Sequence, residues 1–442
     1  MKTIQLPERE LPVAGEYDVI VAGGGVAGTF AGIAAAREGL RTLKIEQIGS
    51  LGVSATLGLV TPLMPSYIPG YSGHCSLGEE LTARMRELGG TEENDRLFDC
   101  TLMKIALEDM AAQYGCGLLY NTAPVEVFQT CGAITHIAVH NKDGLTAYGA
   151  RYFVDATGDA DLALLAGVDC ETGDDRGINQ PVSLRFEMAG VDYERFHAYM
   201  RELGSRDEKY FAMNSPGMHD ILQAAETDGI LTQQDIVYFQ AFGVPGKPDA
   251  MSFNCPELAT QAGVADAAFL TKKQLEGKQA ILRLRRFLRE RIPGFANAYI
   301  TEIAPFVGIR ESRRVEAEYV MTIQDILSYR KFPDAIAKSC YPLDVHGVGD
   351  SQLGLRYDDS LPEAERYWEV PFRCMVARGV SNLLVTGRCA GFDFRAQSAA
   401  RIQLICRSMG EAAGISCALA QREGASFAQV DGTMVRQQMK LS

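Results

Sequence analysis

A chain of 442 residues with 47% hydrophobic composition can bury a large core and suggests two or three structural units. Its formal charge of −13, with acids and bases interspersed, argues against nucleic acid as a main partner. The 11 cysteines form no CxxC pair, no run reaches membrane-spanning length and the first residues hold no apolar signal core, so a cytoplasmic protein with reduced thiols is expected.

Residues 1–17 read as an extended lead-in, because Pro7 and Pro12 exclude a helix. The apolar run Val19 to Ala22 then has the composition of a buried parallel strand. Gly23, Gly25 and Gly28 follow in the spacing GxGxxG, with Val26 and Ala27 inside the motif. The first glycine permits a tight turn, the second a close approach to pyrophosphate, the third close helix packing. The next helix is small on its inner face at Gly28, Ala31, Gly32 and Ala35, and its free N–H groups point at the phosphate position. A second strand, Arg41 to Ile45, ends in Glu46, placed to accept both hydroxyls of an adenosine ribose. An acid there disfavours a 2′-phosphate, and so NADP.

Residues 46–65 are rich in glycine and small hydroxyls. They are either a simple connection or a loop along the cofactor, in which Gln47, Gly52, Ser54, Thr56 and Gly58 would be contacts. His74 and Cys75 are adjacent, face opposite ways on an extended chain, and make no natural ligand pair; no metal site is expected. Asp99 to Tyr114 reads as an amphipathic helix with Leu102, Ile105, Ala106 and Met110 on one face. Short strands follow at Gly117–Asn121, Val125–Thr130 and Ile134–His140, with a hairpin turn at Lys142, Asp143 and Gly144. Val125 counts among the candidate cofactor contacts. His136 and His140 read as solvated surface.

The strand from Tyr152 ends in Asp155, Ala156, Thr157, Gly158 and Asp159 and opens a helix over Ala160–Ala166. A second glycine-ended strand exceeds what a nicotinamide-binding fold requires and fits the longer FAD. Asp169 to Asn179 is a charged break, after which residues 181–192 alternate as a strand. Helices are expected at Tyr193–Leu203 and Met218–Asp228, a strand at Ile236–Phe242, and one long helix over most of Glu257–Arg291. The boundaries predict FAD-binding segments at 1–169 and 371–442 around an inserted α+β cap or substrate domain at 170–370.

Two stretches of the cap carry charge. In the first, Arg310 and Arg313 stand beside Glu311, either to hold an anionic substrate or the flavin pyrimidine edge, or as structural ion pairs. In the second, Cys340 to Gly347, His346 is either a proton donor at the flavin face or a structural histidine. Arg373 is a third cationic candidate at the cap interface. The third glycine-ended strand, Asn382 to Thr386, precedes Gly387 and Arg388, and a long helix is expected from Ser398 to Gln421. Its N-terminus, near Arg401 and Ile402, would aim free N–H groups at the flavin N1–C2=O edge, favour the anionic reduced flavin and raise its potential.

Taken together, the glycine motif, Ala156 to Asp159, Gly308 to Arg314, Tyr341 to Gly347, and the ending Asn382–Arg388, Ser398–Arg401 and Met409–Gly414 occur in order. In these features the chain resembles the FAD-dependent oxidoreductases with a glutathione-reductase-type FAD fold, on the fumarate-reductase-like side. The resemblance implies an α/β fold, a discontinuous Rossmann-like FAD domain with its ββα three-layer build, and noncovalent FAD. It carries Gly23, Gly25, Gly28, Glu46, Gly158, Gly387 and Arg401 over as expected contacts of the flavin nucleotide and names no substrate. The chain departs from the pattern at Phe392, Asp393 and Phe394, an aromatic and acidic loop that could shape a substrate pocket. Hydride transfer between flavin N5 and a small organic molecule, an anionic one included, is the leading expectation. An NAD-dependent dehydrogenase and an FAD-binding protein without redox turnover are the alternatives; a homo-oligomer is left open. A disulfide reductase lacks its CxxC and a second GxGxxG, for which Gly347 to Gly354 has neither spacing nor strand.

Overall fold

The computed structural model describes residues 3–4, 9–64, 68–205, 210–347 and 356–440. Most of the segment from Gly347 to Gly354 therefore lies outside the described residues. The glycine motif sits between β1 (Val13–Ala22) and α1 (Val26–Arg37). β2 (Thr42–Ile45) follows, then α2 (Ser76–Glu87), α3 (Cys100–Gln113) and β3 (Gly117–Leu119). A meander of β4 (Ala123–Thr130), β5 (Ala133–Asn141) and β6 (Gly144–Asp155) completes the first run.

These strands form one sheet in the order β3-β2-β1-β6-β5-β4. β1 lies parallel to both β2 and β6. The long β6 is shared: its first half pairs antiparallel with β5, and Phe153 to Asp155 pair in parallel with the returning strand Leu383–Val385. The fold is α/β, with a parallel edge that collects β3, β2, β1, β6 and Leu383–Val385. Successive side chains of β1 serve opposite faces. Val19 and Val21 pack on the α1 side, while Ile20 and Ala22 join Phe153, Val385 and the short helix Asp161–Leu165.

The helix Gln403–Glu423 packs directly on α1. Small residues allow this approach: a Cβ on Gly410 would overlap the Ala27 carbonyl, and one on Gly414 would come within 2.5 Å of Ala34 Cβ. The buried Glu411 then ties three helices, pairing with Arg37 at 2.7 Å and accepting from Leu77 N at 3.1 Å and from Ser76. Glu411→Ala is expected to lower stability by about 1–3 kcal/mol, because the Leu77 N–H loses its acceptor where water cannot replace it. Chemical denaturation measures this; an unchanged midpoint would show that the tie is dispensable.

The second sheet is wholly antiparallel, in the order Tyr210–Ala212, Gln240–Val244, Lys247–Phe253, Phe186–Ala189, Tyr299–Ile303. One face is apolar. Phe186 and Phe253 stack at 4.6 Å, and Phe196, Phe211, Phe239, Phe287 and Phe295 continue the cluster toward the helix Ala267–Arg291. The other face carries Arg185, Glu187 and Ser252, all buried, with Ser252 Oγ 3.5 Å from the Leu59 carbonyl of the loop after Gly58. A polar sheet face therefore covers that loop.

Several expectations are corrected. The long helix fills Ala267–Arg291 of its expected range; Asp266 caps it, and Glu257–Leu258 before it pairs with Val182–Ser183 as a strand. The expected strand at Ile236–Phe242 is shifted to Gln240–Val244. On α3 the buried face runs through Met103, Ala106, Leu107 and Met110, while Ile105 is exposed. The expected helix from Ser398 is two helices, Phe394–Ala400 and Gln403–Glu423, separated by an extended Ile402 with φ −64° and ψ 150°. His136 is half-buried with Nε2 3.2 Å from Glu16, whereas His140 is exposed.

Candidate active site

Three glycine-ended strands converge. Gly23 has φ +98°, and a Cβ there would lie 2.7 Å from Thr157 N. A Cβ on Gly28 would lie 2.8 Å from Ala156 Cβ, and one on Gly387 3.1 Å from Ala27 Cβ. Gly158 lies under the Arg388 guanidinium, whose Nη2 is 3.1 Å from a Cβ built there. Arg388 is held by Asp159 at 2.9 Å and Ser312 at 3.0 Å. Gly23, Ala27, Gly28, Ala156, Thr157, Gly158, Gly387 and Arg388 are thus neighbours.

Gly25 behaves differently. A Cβ there would meet nothing nearer than the Ala156 carbonyl at 4.0 Å. It N-caps α1 without a side-chain cap, so the first N–H groups of α1 face open space. Such a cradle suits a pyrophosphate. Glu46 stands just past the end of β2 beside the glycine turn, accepting from Gly24 N and, at 2.8 Å, from Ile48 N. Burial pushes its carboxyl up against those N–H groups. Val26 is half-buried at the start of α1.

The loop candidates divide. Gly52 N donates to Gly24 O at 2.8 Å, which brings this loop against the glycine turn. Ser54 and Gln47 are exposed; Thr56 turns inward and donates to Leu51 O at 2.7 Å. Gly58 is small because its Cβ would sit 2.8 Å from Ser54 O. Val125 lines a groove on the meander with Arg9, Phe128 and His136.

The charged candidates divide as well. Burial holds the pKa of Arg310 down; Arg310 lies 3.3 Å from Glu257 and donates to Pro181 O at 2.6 Å. His346 stands between two carboxylates, with Nδ1 2.7 Å from Glu257 and Nε2 3.3 Å from Asp344. Asp344 in turn pairs with Arg401 at 3.1 Å, and its N–H donates to Ser398 Oγ at 3.1 Å. Burial opposes the charge of Asp344, but the His346 hydrogen bond and Arg401 prevail and hold its carboxyl well below the usual range. Glu257 is depressed in the same way, by His346 and Arg310 against burial. The Tyr238 ring packs 5.0 Å from the His346 ring and 6.0 Å from Arg310. The Gln397 side chain links this cluster to the glycine edge, donating to the carbonyls of Arg310 at 3.0 Å and Arg388 at 3.2 Å.

Arg313 and Arg373 fall outside the cluster. Arg313 donates to Asp159 O at 2.5 Å and pairs with Asp161, so it fastens the second glycine loop. Arg373 forms a two-point pair with Asp334, at 2.9 and 3.2 Å, on a half-exposed surface. The aromatic and acidic loop is structural too: Asp393 caps the helix at Ala396 N, 2.6 Å away, and Phe392 is buried. Ile402 N-caps the helix Gln403–Glu423 with no side-chain cap, directly after Arg401. Gln403 Nε2 donates to Val60 O at 2.7 Å, so that helix start meets the loop after Gly58.

Glu257, Tyr238 and Asp344 were not among the sequence candidates. Asp344 stood two residues from His346, and its sequence signal was an acid close to an imidazole. Glu257 and Tyr238 carried none, since only the fold brings them together.

The family of FAD dependent oxidoreductases matches the chain over residues 18–439. No curated protein matches it. Among solved structures, p-nitrophenol 4-monooxygenase PnpA from Pseudomonas putida DLL-E4 is similar with a TM-score of 0.50 at 9% identity, covering 96% of this chain and 84% of its own. That likeness shows a shared fold. A geranylgeranyl bacteriochlorophyll reductase-like protein from Thermoplasma acidophilum is similar at 14% identity and a TM-score of 0.46, over 96% of this chain and 82% of its own.

Proposed function

The chain belongs to the FAD-dependent oxidoreductase family, and from that premise we propose that it moves a hydride between flavin N5 and a small anionic organic molecule. FAD, when bound, supplies the electron chemistry at N5; the protein binds, orients and handles protons. The open cradle at Gly25, with Gly23 and Gly28 holding its shape, would receive the pyrophosphate, and Glu46 the ribose. Gly158, Gly387 and Arg388 would continue the grip, and the uncapped helix start at Ile402 would face the pyrimidine edge with positive potential.

The observation that supports acid–base work is the position of His346. Carboxylates at both ring nitrogens suit a ring that carries two N–H donors, Nδ1–H to Glu257 and Nε2–H to Asp344. Glu257 fixes the ring from the Nδ1 side, which leaves the Nε2 proton as the one to transfer. Arg310 and Arg401 balance the two carboxylates, so a charged imidazole adds attraction for an anionic substrate.

The test is His346→Gln, with FAD content read first from the visible spectrum. At unchanged FAD content, anaerobic bleaching of the flavin by candidate acids, amines and alcohols should slow by about 10²–10⁴-fold. Full retention of the rate would remove His346 from the mechanism. Absence of bleaching by any such compound or reductant in the unaltered protein would favour an FAD-binding protein without redox turnover.

A further inference from the structure

The polar face of the antiparallel sheet holds a cation with no counterpart among the described residues. Arg185 is 5% exposed, and its Nε and Nη2 are buried with no hydrogen-bond partner among them. Those two nitrogens form one edge of the guanidinium, the fork that matches a carboxylate. Elsewhere in the chain that same edge holds carboxylates: Arg283 grips Asp235 through Nε and Nη2 at 2.7 and 2.8 Å, and Arg373 grips Asp334 at 2.9 and 3.2 Å.

Around Arg185 the groups that most affect its charge are the thiols of Cys100 and Cys255, the phenol of Tyr238 and a second guanidinium, Arg310; none is a carboxylate. Burial lowers its pKa to about 10, which still leaves it charged near neutrality. The carboxylate on the same strand face, Glu187, is engaged through Oε2 by Lys247 at 3.4 Å, and Lys247 also pairs with Asp99 at 3.2 Å. Among the described residues Glu187 Oε1 has no partner and does not reach the fork. Two residues before Arg185 in the chain, the buried Ser183 Oγ is also without a partner among them. Ser183 belongs to the strand that pairs with Glu257, and the Tyr238 ring, whose phenol is among the groups that raise the pKa of Arg185, packs 5.0 Å from the His346 ring. A buried charge left without a partner is strongly unfavourable, so its retention calls for a ligand.

We propose that the Nε–Nη2 edge of Arg185, two residues along the chain from the unpartnered Ser183, receives a carboxylate group of the substrate. The inference rests on the hydride-transfer reading only in calling that ligand the substrate. It assigns the organic acids as substrate class.

The test uses the FAD-loaded protein and propionate, with binding read by NMR line broadening, so that no turnover is needed. Propionamide serves as the neutral isostere and inorganic phosphate as the competing anion. Propionate should bind the unaltered protein, propionamide should not, and phosphate should bind more weakly. Arg185→Met should weaken propionate binding by about 30-fold or more. It should keep its FAD and show an equal or higher Tm, since an unpaired buried charge has been replaced by an apolar chain. Arg185→Lys keeps charge without the fork and should recover little of the binding. The proposal is overturned by propionate binding that survives Arg185→Met, by no binding to the unaltered protein, by equal binding of propionamide, or by tighter binding of phosphate. A fall in Tm of Arg185→Met with intact propionate binding would assign Arg185 to structure alone. If no compound bleaches the flavin but propionate binding depends on Arg185, the hydride-transfer reading fails and the carboxylate site stands.

Discussion

Gly28→Ala should yield a colourless and destabilised protein. The added Cβ would overlap the Gly23 carbonyl and lie 2.8 Å from Ala156 Cβ. Neither neighbour can rotate away, since one is backbone and the other is a side chain of one atom. α1 must move off the sheet, and α1 carries the Gln403–Glu423 helix with it through Gly410 and Gly414. Overpacking of this kind costs about 1–3 kcal/mol by itself, and more where backbone is the obstacle. The same shift spoils the pyrophosphate cradle, which is made of the first turn of α1. Gly25→Ala supplies the contrast. Its Cβ meets open space, so the apoprotein should keep its Tm while FAD binding falls, because the methyl group stands where the pyrophosphate would lie. Visible absorption and Tm of the two variants decide the matter. A yellow Gly28→Ala protein of normal Tm would show that the cofactor is held elsewhere.

The legible parts of the fold were those whose signal is local. Val19 to Glu46 is strand, turn, helix and strand in one stretch, and each element stands where the pattern puts it. The helix break at Ile402 was not legible, because small apolar residues on both sides read as continuous helix; only the turn after Arg401, itself held by Asp344, ends the first helix. The candidate arginines could not be sorted by sequence. Arg310 and Arg313 are three residues apart, yet one reaches Glu257 and the other Asp161, because successive residues of an extended chain face opposite ways and an odd separation puts the two on opposite sides. Glu257 lies 89 residues from its histidine, and the helical pattern expected over this stretch masked a two-residue strand. Arg185 read as one polar residue in an alternating strand; its lack of a partner is a property of the tertiary structure alone.

Glu257→Gln is expected to have the second large effect, and its pH dependence identifies the cause. The substitution preserves volume but removes the charge that faces both His346 Nδ1 and Arg310. Arg310 is 9% exposed and loses its only carboxylate among the described residues within ion-pair distance, so a loss of about 3 kcal/mol at neutral pH follows. Glu257 has a folded pKa below its ordinary value of 4.5, because the His346 hydrogen bond and Arg310 outweigh burial. A depressed carboxyl contributes stability that is fully present above the unfolded pKa and is lost as pH falls through the folded one. The gap between the unaltered protein and Glu257→Gln should therefore be constant from neutrality down to roughly pH 5 and narrow below that. Urea denaturation across that range measures it. A gap that persists unchanged at roughly pH 3 would trace the loss to packing, and His346 would then lack the charged partner that its proposed proton transfer requires.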